Sequence, residues 1–219
     1  MKSELAKIGL ADDHVLLRNS LATLINSFGT CKVVLQASSG EDLIKQIQEG
    51  NVPDILLLDL NMPEMDGYDA AKWIQQHYPN VAMIMLSMYD ADLALIRMLQ
   101  FGVKGFLRKD VHPNELKHAI DSVIESGYYY SNNTTGRLVN LFRKSNDSTS
   151  VIQKTFLNET EMAFLKLVCT EDTYKQIAQK MSLNPRSVDN LRDNLFTKLE
   201  VKSRIGLAMY AIKHGIITM

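Results

Sequence analysis

The sequence predicts two domains of different class: an α/β domain built on a doubly wound parallel sheet, then a small all-α domain. Three observations carry this. Short apolar runs alternate with helix-length segments from residue 5 to about 126. Those runs lack clean apolar/polar alternation, as strands do when both faces of a sheet are covered. After residue 150 helical patterning continues with no strand-like run between segments.

Taken in order, the predicted strands are "AKIGLA" (6–11), "KVVLQAS" (32–38), "DILLLDL" (54–60), "VAMIML" (81–86) and "VKGFL" (103–107). Between and after them lie helical patterns at 14–28, 40–49, 67–77, 91–101 and 113–126. In the first, Val15, Leu17, Leu21, Leu24, Ile25 and Phe28 recur at helical spacing. Residues 131–150 are polar at both ends: "GRLVNLFRK" fits one short helix and "SNDSTS" reads as a flexible linker. Four further helices are predicted at 159–169, 174–181, 185–199 and 203–214, with Pro185 suited to a first helical turn. The domain bounds expected from this are 1–128, a linker over 129–150, and 151–219.

Bulk properties restrict the function classes. With 46% hydrophobic and 22% charged residues among 219, a full core can form. No run approaches the roughly 18 apolar residues of a membrane span. The N-terminus lacks a long apolar leader. Cys31 and Cys169 alone make neither a disulfide framework nor a metal pattern, so both are expected as reduced, packed thiols. A soluble, cytoplasmic protein with no membrane partner is expected. Charge is uneven. Residues 1–130 hold 11 Lys/Arg against 17 Asp/Glu, residues 131–150 hold 3 against 1, and residues 151–219 hold 10 against 7. An acidic front and a basic back imply different partners for the two domains.

In a doubly wound sheet, ligands bind beyond the carboxyl ends of the strands. The first predicted strand ends at Asp12 and Asp13, the third at Asp59, the fourth at Ser87, and the fifth just before Lys109. Crowded carboxylates need a cation or raised pKa values. Oxygen ligands that must also admit phosphate favour Mg²⁺. A carboxylate can also act as a nucleophile and form an acyl phosphate. Asp59, at the tip of the central strand, is best placed. Lys109 and the Ser87 hydroxyl can then hold phosphoryl oxygens. Asp12 and Asp13 could instead cap the helix beginning near His14, and His14 reads as a helix-start residue.

The motifs "ADDH", "LLLDLNMPEMDG", "MLS" and "GVKGFLRKD" resemble the receiver domain of bacterial two-component response regulators over roughly residues 5–126. The resemblance implies a flavodoxin-like (βα)₅ sheet in the order 2-1-3-4-5. It implies that Asp59 accepts a phosphoryl group from a sensor histidine kinase. Asp13, Asp59 and the carbonyl of Asn61 would bind Mg²⁺, with Asp12 acting through a metal-bound water. Ser87 and Lys109 match phosphoryl-sensing positions, and Phe106 the switch aromatic that turns inward as Ser87 moves. That motion would reshape the surface of helix 91–101, strand 103–107 and helix 113–126. Asn61 and Tyr89 stand where the family sets phosphate lifetime.

In the second domain, "YKQIAQKMSLNPRSVDNLRDNLFTKL" reads as helix, turn, helix. Ile177, Ala178 and Met181 face Val188, Leu191, Leu195 and Leu199 across the turn "SLNP". Arg186, Ser187, Asp189, Asn190, Arg192, Asp193 and Asn194 fill the polar side of the second helix. A helix of this size fits the major groove of B-DNA. From Leu157 to Ile217 the segment resembles the LuxR-type helix-turn-helix of NarL/FixJ regulators. The motifs are "LNETEMAFLKL", "YKQIA", "SVDNL", "FTKLEVKSR" and "HGII". The resemblance implies base contacts at Asp189, Asn190 and Asp193. It implies phosphate contacts at Lys175, Arg186, Arg192, Lys198 and Lys202. Two departures stand out: Leu191 replaces a frequent His, and "TEDTY" replaces a Gly-containing turn. The acids at 189 and 193 sit where Lys is common.

The reading is therefore a transcription factor rather than an enzyme, with promoter DNA and a sensor histidine kinase as partners. A homodimer is expected on activation, and helix 203–214 (Ile205, Leu207, Ala208, Ala211, Ile212) offers a dimer surface. A phosphatase would need a substrate cleft and an independent acid/base, neither of which is visible. A flavodoxin-like nucleotide binder would need a Gly-rich loop after the first strand. The alternative kept open is an atypical regulator that dimerises and binds DNA without phosphorylation.

Overall fold

A computed structural model describes residues 5–88, 95, 98–146, 157–214 and 216–217, with side chains described except at 140–146 and 213. Two compact units are present, one through Leu138 and one from Val139.

The first unit holds a five-stranded sheet: β1 (Ala6–Ala11), β2 (Cys31–Ala37), β3 (Ile55–Asp59), β4 (Ala82–Ser87) and β5 (Gly105–Arg108). All neighbours are parallel and the order is β2-β1-β3-β4-β5, as the resemblance implied. Every residue of β3 is buried, which explains its unbroken "ILLLD". Alternate residues serve opposite faces. Ile8, Leu10, Ile55, Leu57, Ile84, Leu86 and Leu107 form one core with α1 (Val15–Ser27) and α4 (Pro113–Ser126). The intervening residues Leu56, Leu58, Met83, Met85 and Phe106 are also buried. So are Leu43 and Ile47 of α2 (Gly40–Gln48), and Ala71 and Ile74 of α3 (Gly67–His77).

Caps fix where these helices begin. Ser39 accepts from the Asp42 amide, and Asp66 from the amides of Tyr68 and Asp69. Each such cap is worth about 1 kcal/mol. Helix α4 starts with Pro113 behind the His112 cap and ends at Gly127, whose φ of 84° is the left-handed conformation glycine adopts freely. The predicted helix 91–101 falls largely outside the described residues, as do Tyr89 and most of "SNDSTS". Helix α5 (Asn132–Asn146) is longer than the short helix expected within the linker. Its start is set by Ser131, whose hydroxyl accepts from the Thr134 amide. The polar "SNNTT", left outside the expected short helix, is therefore its capped first turn.

The second unit contains α6 (Glu159–Val168), α7 (Tyr174–Lys180), α8 (Pro185–Lys198) and α9 (Arg204–Lys213). Reciprocal capping boxes, Asn158 with Glu161 and Thr173 with Gln176, open α6 and α7. Phe164, Leu165, Ile177, Ala178, Val188, Leu195, Leu207 and Ala211 make its core. Among the described residues, no helix is long and apolar enough to cross a membrane.

Candidate functional site

A parallel sheet sends all its strand ends to one edge, and four polar tips meet there. Asp12 follows β1, Asp59 closes β3, Ser87 closes β4 and Lys109 follows β5. Asp12, Asp59 and Ser87 are at most 2% exposed. The Lys109 ammonium lies 2.7 Å from Asp59 Oδ2 and 2.8 Å from Asp12 Oδ2. Its own amide donates to the Ser87 carbonyl at 2.9 Å, so the β4 and β5 tips are tied together. Asp59 Oδ1 accepts from the Asn61 amide at 3.2 Å.

Helix α3 presses against this edge. The Gly67 amide donates to the Leu60 carbonyl, and a Cβ on Gly67 would stand 2.1 Å from the Asp59 carbonyl oxygen. Only glycine permits that approach.

Burial pushes the Asp59 carboxyl up to about 6, against the opposing pull of Lys109. Burial disfavours the Lys109 ammonium, yet the neighbouring Asp59 and Asp12 carboxylates hold its pKa above the ordinary lysine value. Asp12, Asp13, His14 and Asp59 each offer one donor atom, all within 4.8 Å of one another. The carboxylates fit a hard divalent cation: they are anionic oxygens, and Asp12 Oδ2 has no well-directed hydrogen bond although Lys109 stands beside it. Asn61 lies two residues after the β3 tip, in the loop that follows that strand.

His14 and Arg18 enter the site unexpectedly. His14 is the N-cap of α1 without a side-chain cap bond. Its amide donates to Asp12 Oδ1 at 2.8 Å, and its Nδ1 lies 3.1 Å from Asp12 Oδ1 and 2.8 Å from Asp13 Oδ1. Arg18 Nη1 donates to the Asp12 carbonyl. The only sequence signal for His14 was its place directly after two acids. Asp13 is half-exposed, unlike Asp12. Phe106 is buried in β5 and borders a cavity of about 470 Å³ that also touches Val111, Glu115 and Thr134.

The helical unit presents a different surface. Helices α7 and α8 meet through Ile177, Ala178, Val188 and Leu195, after a turn in which Ser182 has φ of 54°. Lys175, Arg186, Asp189, Asn190, Asp193 and Lys202 are exposed, while Ser187, Arg192 and Lys198 are half-buried. Two of the cations expected on phosphate are engaged within the domain. Lys198 Nζ lies 2.6 Å from Glu161 Oε2, the capping carboxylate of α6. Arg192 contacts Asp189 and Asp193 and lies over the Tyr174 and Phe196 rings. The dimer set expected on α9 also divides: Leu207 and Ala211 are fully buried in their own core, Ala208 and Ile212 are partly buried, and Ile205 points outward at 74% exposure, as does Met209, outside that set, at 58%.

Comparison with known proteins follows this division. The family model described as the response regulator receiver domain matches residues 8–121, and that of bacterial regulatory proteins, luxR family, matches residues 155–211. The oxygen regulatory protein NreC of Staphylococcus aureus is 31% identical over 96% of this chain and 99% of its own. NreC of Staphylococcus haemolyticus is 29% identical with the same coverage. RcsB from Salmonella enterica serovar Typhimurium, solved bound to promoter rprA in the presence of phosphomimetic BeF3−, shares the fold. Its TM-score is 0.70, at 21% identity over 94% of this chain and 98% of that one.

Proposed function

The chain belongs to the response regulators that join a receiver domain to a LuxR-type DNA-binding domain, and from that premise we propose that phosphoryl transfer to Asp59 controls its binding to promoter DNA. The observation that carries this is the buried junction of Asp12, Asp59 and Lys109, with Ser87 on the adjoining tip. The phosphoryl donor is a phosphohistidine of a sensor histidine kinase. An Asp59 carboxylate oxygen attacks phosphorus, the N–P bond breaks, and the histidine nitrogen leaves with the electron pair.

Asp12, Asp13, Asp59 and the Asn61 carbonyl would hold Mg²⁺, which supplies positive charge to the carboxylates and the incoming phosphoryl oxygens. Lys109 changes partner, from Asp59 Oδ2 to a phosphoryl oxygen. The Ser87 hydroxyl donates to another oxygen. Phe106 fills the space Ser87 leaves. The receiver occupies 1–128, the linker 129–150 and the DNA-binding domain 151–219.

In the second domain α8 enters the major groove. Asp189, Asn190 and Asp193 face base edges, and Lys175, Arg186 and Lys202 hold phosphates. The exposed Ile205 and Met209 of α9 lie on the surface where two DNA-binding domains meet. Pairing on activation multiplies the affinity of two weak modules.

The test is incubation of the whole chain with Mg²⁺ and acetyl phosphate. One added phosphoryl group on Asp59, absent in Asp59→Asn, is expected by mass spectrometry, with tighter DNA binding after the addition. Equal DNA binding by Asp59→Asn and treated wild type would instead identify a regulator that acts without phosphate.

A further inference from the structure

Arg192 is, with Lys198, one of two cations on α8 engaged within the domain. Its Nη1 donates to Asp189 Oδ1 at 2.9 Å and its Nε to Asp193 Oδ1 at 2.9 Å. Its Nη2 also lies 2.8 Å from Asp193 Oδ1. The guanidinium carbon stands 5.2 Å from the Tyr174 ring centroid and 6.0 Å from that of Phe196. Tyr174 is fixed in turn. Its ring stacks with the fully buried Phe164 at an interplanar angle of 9°, and the Arg204 guanidinium lies 5.4 Å from its centroid. Arg204 is anchored by donating to the carbonyls of Val168 and Thr170 at the end of α6.

Two carboxylates four residues apart on one helix face repel each other and repel phosphates. Arg192 sits between them and binds both. The guanidinium takes Oδ1 of each acid. In each case this leaves Oδ2 directed by a planar fork that only arginine supplies. The two acids remain 53% and 63% exposed at the side chain, against 25% for Arg192. A cation already shared between two carboxylates and stacked on a ring anchored from α6 is poorly placed to leave for a phosphate.

We propose that Arg192 is a positioning residue for sequence readout, holding Asp189 and Asp193 so that their free oxygens accept from cytosine amino groups in the major groove. In the major groove the usual partner of a carboxylate is the cytosine N4 amino group. The inference rests on the DNA-binding reading above and refines it, because Arg192 is taken out of the phosphate contacts. Specificity at this face comes from oriented acids, and non-specific affinity from Lys175, Arg186 and Lys202.

The test uses the full chain, treated with Mg²⁺ and acetyl phosphate, and a pool of randomised DNA duplexes. Wild type is expected to enrich sites whose affinity falls when particular C·G pairs are replaced by T·A. Arg192→Met is expected to lose that preference by about tenfold. The slope of log affinity against log salt should stay unchanged. Asp189→Asn/Asp193→Asn keeps the cation–ring stack and should lose the same preference, which decides the matter if Arg192→Met fails to fold. Arg192→Lys keeps the charge without the fork and should not restore it. A slope reduced by about one in Arg192→Met, with all duplexes weakened equally, would make Arg192 a phosphate contact and overturn the proposal. An enriched site insensitive to C·G replacement overturns it as well, leaving DNA binding intact. Enrichment of no sequence by wild type overturns both.

Discussion

The pocket at the sheet edge and the polar face of α8 both pair acids with a cation, and they do so under opposite conditions. In the pocket, Lys109 and its two carboxylates are nearly sealed from solvent, and their backbones arrive from three separate strands. On α8, the two carboxylates are 53% and 63% exposed, Arg192 is a quarter exposed, and all three come from a single helix within five residues. Buried charges interact strongly and cost much to leave unpaired. Exposed ones are screened and change stability little. The first arrangement suits a switch whose chemistry must be shielded. The second suits a surface that has to exchange water for a ligand.

Five substitutions sharpen or break this contrast. The largest effect is expected from Gly67→Ala. The added methyl overlaps the Asp59 carbonyl, and overpacking against backbone should cost about 3 kcal/mol. Trp73, the sole tryptophan, lies in α3 and reports receiver unfolding in urea. A loss below about 1 kcal/mol would mean that α3 slides easily.

Next is Asp59→Asn, through pH. The folded carboxyl is raised to about 6 from an ordinary value of 3.8. Its stabilising protonation is therefore complete below the unfolded value and lost as pH rises through about 6. Without divalent cation, wild type should lose roughly 2–3 kcal/mol relative to Asp59→Asn between pH 4 and pH 8. A gap independent of pH would show a pocket wetter than its geometry.

Third, Lys198→Met strands the buried Glu161 carboxylate. It should cost about 1.5–2 kcal/mol in the helical transition followed by circular dichroism, with no change in the salt slope of DNA binding. A lowered slope would return Lys198 to the DNA. The smallest effect on stability, within about 0.5 kcal/mol, belongs to Lys175→Ala and Arg186→Ala. Each should instead reduce the salt slope by about one.

The same contrast governs what could be read from residues alone. The sheet was legible because short apolar runs recurred between helix-length segments, and its strands paired in the order the resemblance implied. The pocket was legible because parallel strands must end together, so Asp12, Asp59, Ser87 and Lys109 could be placed without knowing any distance. Pairing was not legible. Lys198 finds Glu161 across 37 residues, and no local pattern in "FTKLE" signals that contact. Arg192 has its carboxylates nearby in sequence, but its ring partner Tyr174 lies across the α7–α8 turn. His14 reads as a helix-start residue, and that is true of its backbone alone. Helix α5 was under-read because a polar capped turn and a loop share one composition.

The ammonium that bridges Asp12 and Asp59 has a consequence for how the protein comes into being. It is a counterweight carried by the chain itself, available the moment the last strand docks. A newly made molecule can thus complete its sheet in a cell short of divalent ions. On the function proposed above, scarcity of Mg²⁺ would silence signalling while leaving the pool of folded regulator in place.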